Sequence, residues 1–496
     1  MTEIIMRLRK CAEELSQIAD AMSKLNPVEQ GADADEIARR MGGDAQRVVK
    51  TLAEFGVNAK VEKVHQGPTV NKIEISVPPG TRCEKITALG STLMMVLEKR
   101  SLRIEVPVPG ANTIGIEYDR TDLEPVTYSE TTLLEIARLD ALRQRPAIPI
   151  VVGKDIDYST VSFDLVTLPH LLIGGSTGQG KSMFIHSLIN GLISSRSPEE
   201  VRLILFDPKH VEFLDYEHLP HLIVPVLKDN GKMVFALQWV AAEMEKRLKL
   251  FARARARNIR EYNNRRITGD EQFKNVPETV PYIVIVLDEF EDLMLSCEQE
   301  VVPYISCLAT TARAAGIHLV IATQQSECTV VTGTIKSIIP GRIAFKTSTS
   351  LGSRVLLDDS GAEDLIGKGD CLYQDREGIL RRVQVPSITD EEIKANVEQV
   401  IARYSKAEYE LKIPEIDTRK CVAECDVFED AGNATIDELV EKAKALIRET
   451  GRASTSHFQR RLGWGYNRAS EVIDELERRG LIGPFKGADA RDVFMS

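Results

Sequence analysis

Leu171-Leu172-Ile173-Gly174-Gly175-Ser176-Thr177-Gly178-Gln179-Gly180-Lys181-Ser182 is the stretch on which the reading of this chain turns. A short apolar run enters a glycine-rich loop, and a helical pattern leaves it through Lys181-Ser182. Strand, loop and helix in that order are the setting a phosphate-cradling P-loop requires. The glycines let backbone N–H groups turn inward around phosphate oxygens, and the helix N-terminus adds its positive dipole. Gly175, Ser176, Thr177, Gly178, Gln179, Gly180, Lys181 and Ser182 are therefore the expected ATP-binding residues. Lys181 is expected to reach the β- and γ-phosphates, and Ser182 to ligate Mg²⁺. The plainer alternative is a glycine-rich turn without a ligand.

A P-loop needs a second acid at the end of a neighbouring buried strand. Tyr282-Ile283-Val284-Ile285-Val286-Leu287-Asp288-Glu289 supplies two. Asp288 suits Mg²⁺ and Glu289 suits orientation and deprotonation of an attacking water. Two acids opening a helix at Phe290 are also ordinary caps. Further on, Gly316–Gln324 reads as a strand lying beside the P-loop strand. Thr323 and Gln324 could there sense the γ-phosphate, or simply face water. Arg313, just before that strand, could serve a neighbouring subunit's ATP, or be a solvated helix-end residue.

Working outward, apolar runs at His170–Gly175, Val201–Phe206, Tyr282–Leu287, Ile317–Thr323 and Arg342–Lys346 alternate with helical segments. They predict a parallel sheet covered on both faces, an α/β RecA-like P-loop NTPase motor domain over 146–403. Residues 1–60 read as helices, interrupted at Gly42-Gly43 and ended by Gly56. Residues 61–145 read as a small α+β domain, with a strand at Val70–Val77, a turn at Pro78-Pro79-Gly80 and a helix over Lys85–Lys99. Residues 404–435 read as a polar linker, and 436–496 as a compact helical unit with a short β-like end at Arg491–Phe494.

The 496 residues suggest several domains, and 43% hydrophobic with 28% charged residues is a soluble globular composition. A net charge of -11 means that any DNA contact must come from local basic patches. We find no apolar run of about 18 residues, so no membrane anchor is expected and a cytoplasmic location is. Eight scattered cysteines read as reduced thiols, with Cys421 and Cys425 too isolated for a zinc site.

Taken together these residues resemble the FtsK/SpoIIIE family of DNA translocases, from about residue 64 onward. Leu168-Pro169-His170 before the P-loop, Phe206-Asp207-Pro208-Lys209, Leu287–Met294, Ala312–Gln324 and Asp370-Cys371-Leu372-Tyr373 carry the likeness. Gly67-Pro68-Thr69-Val70 and Ser101–Gly110 resemble the family's non-catalytic α domain. Arg452-Ala453-Ser454 and Leu462–Ala469 resemble its γ domain, a winged helix. The resemblance implies a homohexameric ring around double-stranded DNA, Arg313 acting in trans, pore loops touching the phosphate backbone, and γ reading an orienting sequence. It also leaves room for a site-specific recombinase or another DNA-processing protein as partner.

The chain departs from the family pattern in the expected DNA contacts. Gln325-Ser326 stands where the family has Arg-Pro, and Ser350 replaces a pore-loop lysine, while Lys336 and Arg354 are kept. Fewer cations weaken the backbone grip and flatten the salt slope. Gln325 and Ser350 can partly compensate by hydrogen bonding, and Lys346 is expected to share the load. In the winged-helix segment Asn467, Glu471 and Asp474 share a helix face, with Arg468 beside Asn467. Glu471 replaces an arginine and can accept only from a cytosine amino group, so the usual sequence is not expected to be read unchanged. This helix could instead dock on protein. The function expected is ATP-driven duplex-DNA translocation in chromosome, plasmid or phage DNA segregation. The alternatives are a related motor moving protein or single-stranded DNA in secretion or conjugation, and a DNA-binding protein with a vestigial ATP site.

Overall fold

A computed structural model describes residues 33–141, 145–267, 279–324, 331–413 and 436–450, with part of 453–494. It forms two units, divided between Ile413 and Pro414.

The first unit opens with α1 (Asp33–Glu54). This helix runs straight through Gly42-Gly43, where the sequence predicts a break. Each mid-helix glycine costs about 1 kcal/mol against alanine. Burial of Ala45, Val48 and Leu52 against the small domain's core offsets that cost. The helix does end at Gly56, whose φ of +74° lets Val57 N–H bond back to Leu52 O at 2.8 Å. Strands β1 (Lys60–Gln66) and β2 (Val70–Ser76) follow, then short helices α2 (Glu84–Thr87) and α3 (Gly90–Leu97). The single helix expected over Lys85–Lys99 is thus two. After β3 (Leu102–Glu105) and β4 (Ile114–Asp119), the four strands form an antiparallel sheet in the order β1-β2-β4-β3.

A π-helical turn (Ser129–Leu133) leads into α4 (Leu134–Ala141) and the large layer. Its elements are β5 (Pro149–Asp155), β6 (Thr160–Asp164), β7 (His170–Gly174), α5 (Lys181–Ser195), β8 (Val201–Phe206), α6 (Asn230–Arg253), α7 (Ile259–Ile267), β9 (Tyr282–Leu287) and α8 (Phe290–Ala315). Then come β10 (Ile317–Thr323), α9 (Gly333–Ile338), β11 (Gly341–Phe345), α10 (Ser350–Leu357), β12 (Asp370–Gln374), β13 (Leu380–Gln384) and α11 (Asp390–Tyr404).

The nine strands lie in the order β6-β5-β13-β12-β11-β7-β10-β9-β8. The run β11-β7-β10-β9-β8 is parallel, as its apolar strands predict. The sheet as a whole is mixed, because β12, β13, β5 and β6 add an antiparallel wing. β6, β12 and β13 mix polar or charged with apolar residues and lack the continuous apolar signature, which in this wing only the start of β5 carries. In β9, Val284 and Val286 face one core with Phe184 and Ile185 of α5, while the alternate residues Ile283, Ile285 and Leu287 are equally buried. Both faces of the sheet are therefore covered. Residues 404–413 pack back on this layer: Leu411 is buried, and Glu410 and Leu411 both donate to Ile223 O.

In the second unit α12 (Ile436–Thr450) contributes Leu439, Val440, Ala443 and Ile447 to a core with Phe458, Val472, Ile473 and Leu476. Phe494 N–H donates to Leu481 O at 2.9 Å, while the rest of the β-like stretch 491–493 lies outside the described residues. No helix among the described residues is long and apolar enough to cross a membrane.

Candidate nucleotide site

The site forms where the parallel strands end, the edge at which open α/β sheets bind ligands. From β7 the chain enters the loop Gly175–Gly180 and leaves as α5. Gly175 has φ +150°, and a Cβ there would sit 2.6 Å from Phe345 Cβ. At Gly180, φ +114°, a Cβ would meet Gly369 N at 2.6 Å. Only glycine lets the loop pass this close to β11 and β12. Backbone bonds fix it there: Ser176 N–H donates to Lys346 O at 2.9 Å, and Gly369 N–H to Gln179 O at 2.8 Å. A cavity of about 680 Å³ opens beside the loop. Ser176, Thr177, Gly178, Lys181 and Ser182 line one side, and Leu123, Pro125, Val126, Val385 and Pro386 the other.

Because β10 lies between β7 and β9, the ends of these strands bring the separate sequence candidates together. Lys181 Nζ lies 3.2 Å from Asp288 Oδ1 and 3.4 Å from Glu289 Oε1. All three side chains are buried. Glu289 Oε1 also accepts from the Gln324 amide, and Gln324 Oε1 accepts from Thr177 Oγ1. Thr323 Oγ1 and Gln324 N–H both donate to Glu291 Oε2, at 2.5 and 2.9 Å. Glu289 itself has left-handed backbone, φ 50° and ψ 52°, a strained geometry for a residue with a side chain.

Burial pushes the Asp288 and Glu289 carboxyls up from their ordinary values, and Lys181 pulls against it in both. Glu289 Oε2 is buried without a hydrogen-bond partner among the described residues, and Asp288 Oδ1 faces the Lys181 ammonium. A buried carboxylate and a hydroxyl are hard oxygen donors of the kind Mg²⁺ takes, so the chemistry of Asp288 and Ser182 fits that ion.

Three residues of the site were not singled out by sequence reasoning. Lys209 Nζ is 2.9 Å from Glu289 Oε1. Glu212 lines the cavity and lies below the usual carboxylate range, held first by His186, 3.4 Å away, and also by Ser182 and Lys181. Glu291 bonds the end of β10, as above. Lys209 and Glu212 lie in the loop after β8, and position at the end of a parallel strand next to β9 was the available signal for them.

Arg313 is placed at the other edge. It ends α8, is exposed, and its Nε donates to Val166 O at 3.3 Å, before the start of β7. The P-loop begins where β7 ends, so the five residues of β7, about 17 Å of strand, separate Arg313 from its own Lys181.

Of the expected DNA contacts, Ser350 and Arg354 lie one turn apart on α10. Lys336 joins them by donating to Arg354 O at 2.8 Å, with its charge taken up by Asp358, which Arg342 shares. Lys346, four residues before Ser350, lines a cleft of about 490 Å³ with Arg100, Ser101, Glu363 and Asp364. Gln325, Ser326, Asn467, Arg468, Glu471 and Asp474 lie outside the described residues.

The FtsK/SpoIIIE family model matches residues 132–327, the FtsK alpha domain 20–118 and the Ftsk gamma domain 434–496. The alpha match begins well before residue 64, where the likeness is first visible by eye. The DNA translocase FtsK of Halalkalibacterium halodurans is 39% identical over 458 residues, 92% of this chain and 56% of that protein. The DNA translocase SpoIIIE of Bacillus subtilis is 38% identical over 478 residues, 95% of this chain and 58% of that one. The chain thus spans less than two thirds of these relatives' length. Among solved structures, the pCW3 conjugation coupling protein TcpA, in monomer form with ATPgS, superposes with a TM-score of 0.51 at 21% identity. That match covers 73% of this chain and 99% of that one, and supports the fold.

Proposed function

The chain belongs to the FtsK/SpoIIIE family, and we propose that it hydrolyses ATP to move along double-stranded DNA as a cytoplasmic homohexameric ring. The observation that carries this reading is the convergence of Lys181, Asp288, Glu289 and Gln324 from three adjacent strand ends, beside a cavity that Lys181 and Gln324 line.

In the resting arrangement these groups satisfy one another. An arriving triphosphate offers Lys181 a stronger anion than the two carboxylates, and Gln324 can turn from Glu289 to the γ-phosphate. Glu289, from which Lys181 and Gln324 have then turned, is the group to orient a water in line with the γ-phosphorus and take its proton. Mg²⁺, held by Ser182 and Asp288, would supply charge neutralisation on the β- and γ-oxygens. Arg313 sits too far from its own loop to help, and completes a neighbour's site by stabilising the charge that spreads in the transition state. Lys336, Ser350 and Arg354 form the backbone-contact surface, supplemented by Gln325. The C-terminal unit, with Asn467, Arg468, Glu471 and Asp474, is the winged-helix reader of an orienting sequence. A site-specific recombinase or another DNA-processing protein fits such a motor as partner.

The test is ATP turnover with and without duplex DNA, together with displacement of a triplex-forming strand from linear duplexes. Duplex-stimulated turnover with strand displacement is expected. Vigorous turnover indifferent to DNA transfers the motor to another cargo, protein or single strand, and no turnover ends the enzymatic reading.

A further inference from the structure

The motif Phe206-Asp207-Pro208-Lys209 enters the site through a residue with no place in the chemistry just described. Lys209 Nζ lies 2.9 Å from Glu289 Oε1, on a side chain that is 50% exposed. Three donors converge on that oxygen: Lys181, Gln324 and Lys209. Two of them have phosphate partners waiting when nucleotide binds. Lys209 does not, and it then remains as the cation on the group that must activate water. An ammonium in direct contact ties up a carboxylate oxygen and fixes where the carboxylate points.

The loop that carries Lys209 is built as one body. Asp207 is buried, and its Oδ2 accepts from Glu212 N–H at 2.9 Å and from Phe213 N–H at 3.1 Å. The loop therefore cannot shift at Lys209 without shifting at Glu212, which faces His186, Ser182 and Lys181. Between its buried ends, Asp207 and Phe213, the side chains of His210 and Val211 are exposed, Val211 by 67%. Asp288, Glu291 and Asp292 also bear on this corner of the site, so the cation on Glu289 sits among acids that hold it in place.

We propose that Lys209 is a positioning residue that restrains Glu289 in the resting site, and that displacement of the loop 207–213 releases Glu289 for water activation. This rests on the reading of Glu289 as the water-orienting group, and names the regulation of that group. ATP alone frees Lys181 and Gln324, whereas movement of a subunit on its DNA frees Lys209. Turnover is thereby tied to cargo.

The experiment uses the full chain and measures ATPase kcat and KM with and without duplex DNA for the wild type, Lys209→Ala, Lys209→Gln and Lys209→Arg. DNA-free kcat is expected to rise about tenfold in Lys209→Ala and Lys209→Gln, the equivalent of about 1.4 kcal/mol. DNA stimulation should shrink by the same factor with KM for ATP little changed, and Lys209→Arg should return both toward wild type. A fall in kcat with and without DNA alike makes Lys209 a helper of the chemistry and overturns the proposal. An unchanged DNA-free rate overturns it equally. Melting curves by circular dichroism separate either result from misfolding, with Lys209→Gln as the better-packed variant. A wild type that hydrolyses nothing defeats the functional reading itself, and is seen before any variant is made.

Discussion

Arg382→Met should loosen the joint between the small domain and the motor. Arg382 on β13 is buried and donates to Asp370 Oδ1 at 3.0 Å, to Asp370 Oδ2 at 2.7 Å and to Glu117 Oε2 at 3.1 Å. Glu117 belongs to β4 of the small domain, where Arg103 Nη1 also reaches it at 3.1 Å. Removing one partner of a buried ion network costs about 3–5 kcal/mol, because the charges left behind are desolvated and unpaired. The low end, about 3 kcal/mol, is expected here. Glu117 keeps Arg103, and Asp370 keeps the Ile366 N–H at 2.8 Å. Asp370→Asn in the same chain removes one orphaned charge and should recover about 1–2 kcal/mol of that loss. Urea unfolding followed by far-UV circular dichroism at matched m values measures both. A loss under about 1 kcal/mol, or strict additivity of the two changes, refutes the reasoning.

The same network gives a pH dependence. Burial alone would raise Glu117, but Arg103, Arg382 and Lys72 outweigh it and hold the carboxyl below its ordinary range. Its folded value is therefore below the unfolded one, about 4.3. The stability it contributes is complete above the unfolded value and is lost as pH falls through the folded one. Glu117→Gln should be clearly less stable than wild type at neutral pH, with the gap closing in acid. A gap that is constant or grows in acid reverses the sign and sinks the assignment.

Lys181→Ala should abolish turnover while the helical signal of residues 436–450 survives, checked by ATPase assay and circular dichroism. Arg313→Ala should lower turnover by about 10³-fold or more yet keep nucleotide binding. Mixing it with Lys181→Ala should restore part of the activity, because some junctions then pair an intact Lys181 with an intact Arg313. Ser350→Lys should steepen the salt dependence of DNA binding by about one unit of log–log slope, measured by titration at several salt concentrations.

The parallel strands and the P-loop were legible because both are local signals. A run such as Tyr282–Leu287 states its burial in consecutive letters, and the glycines at 175, 178 and 180 have few other uses. The antiparallel wing was not legible. In β13, Leu380-Arg381-Arg382-Val383-Gln384, the arginine at 382 is an inward residue whose burial depends on Glu117, 265 positions away. The glycine pair at 42–43 misled for a related reason, since propensity is local and the core that overrides it is not. Lys209 and Glu212 were missed because their roles exist only once the loop after β8 folds over α5 and the end of β9. Asp288, Glu289 and Lys181 needed only the order of strands.

The geometry of α8 bears on how many subunits a site needs. It begins at Phe290, directly after Glu289, and ends with Arg313 in its last turn. The non-helical Cys297 divides it, and the stretch from 298 to Arg313 alone spans about 24 Å. The carboxylate that handles water and the arginine suited to the transferring phosphate are thus at opposite ends of one strut, and β7 separates them on the sheet side as well. They cannot meet at one γ-phosphate within a single copy. They meet only if the Arg313 edge of one subunit faces the P-loop edge of the next, an arrangement that also lets a change at Glu289 in one site be felt at the arginine serving another. Were dilute, strictly monomeric protein to hydrolyse ATP at the rate of the concentrated sample, Arg313 would have no part in the reaction.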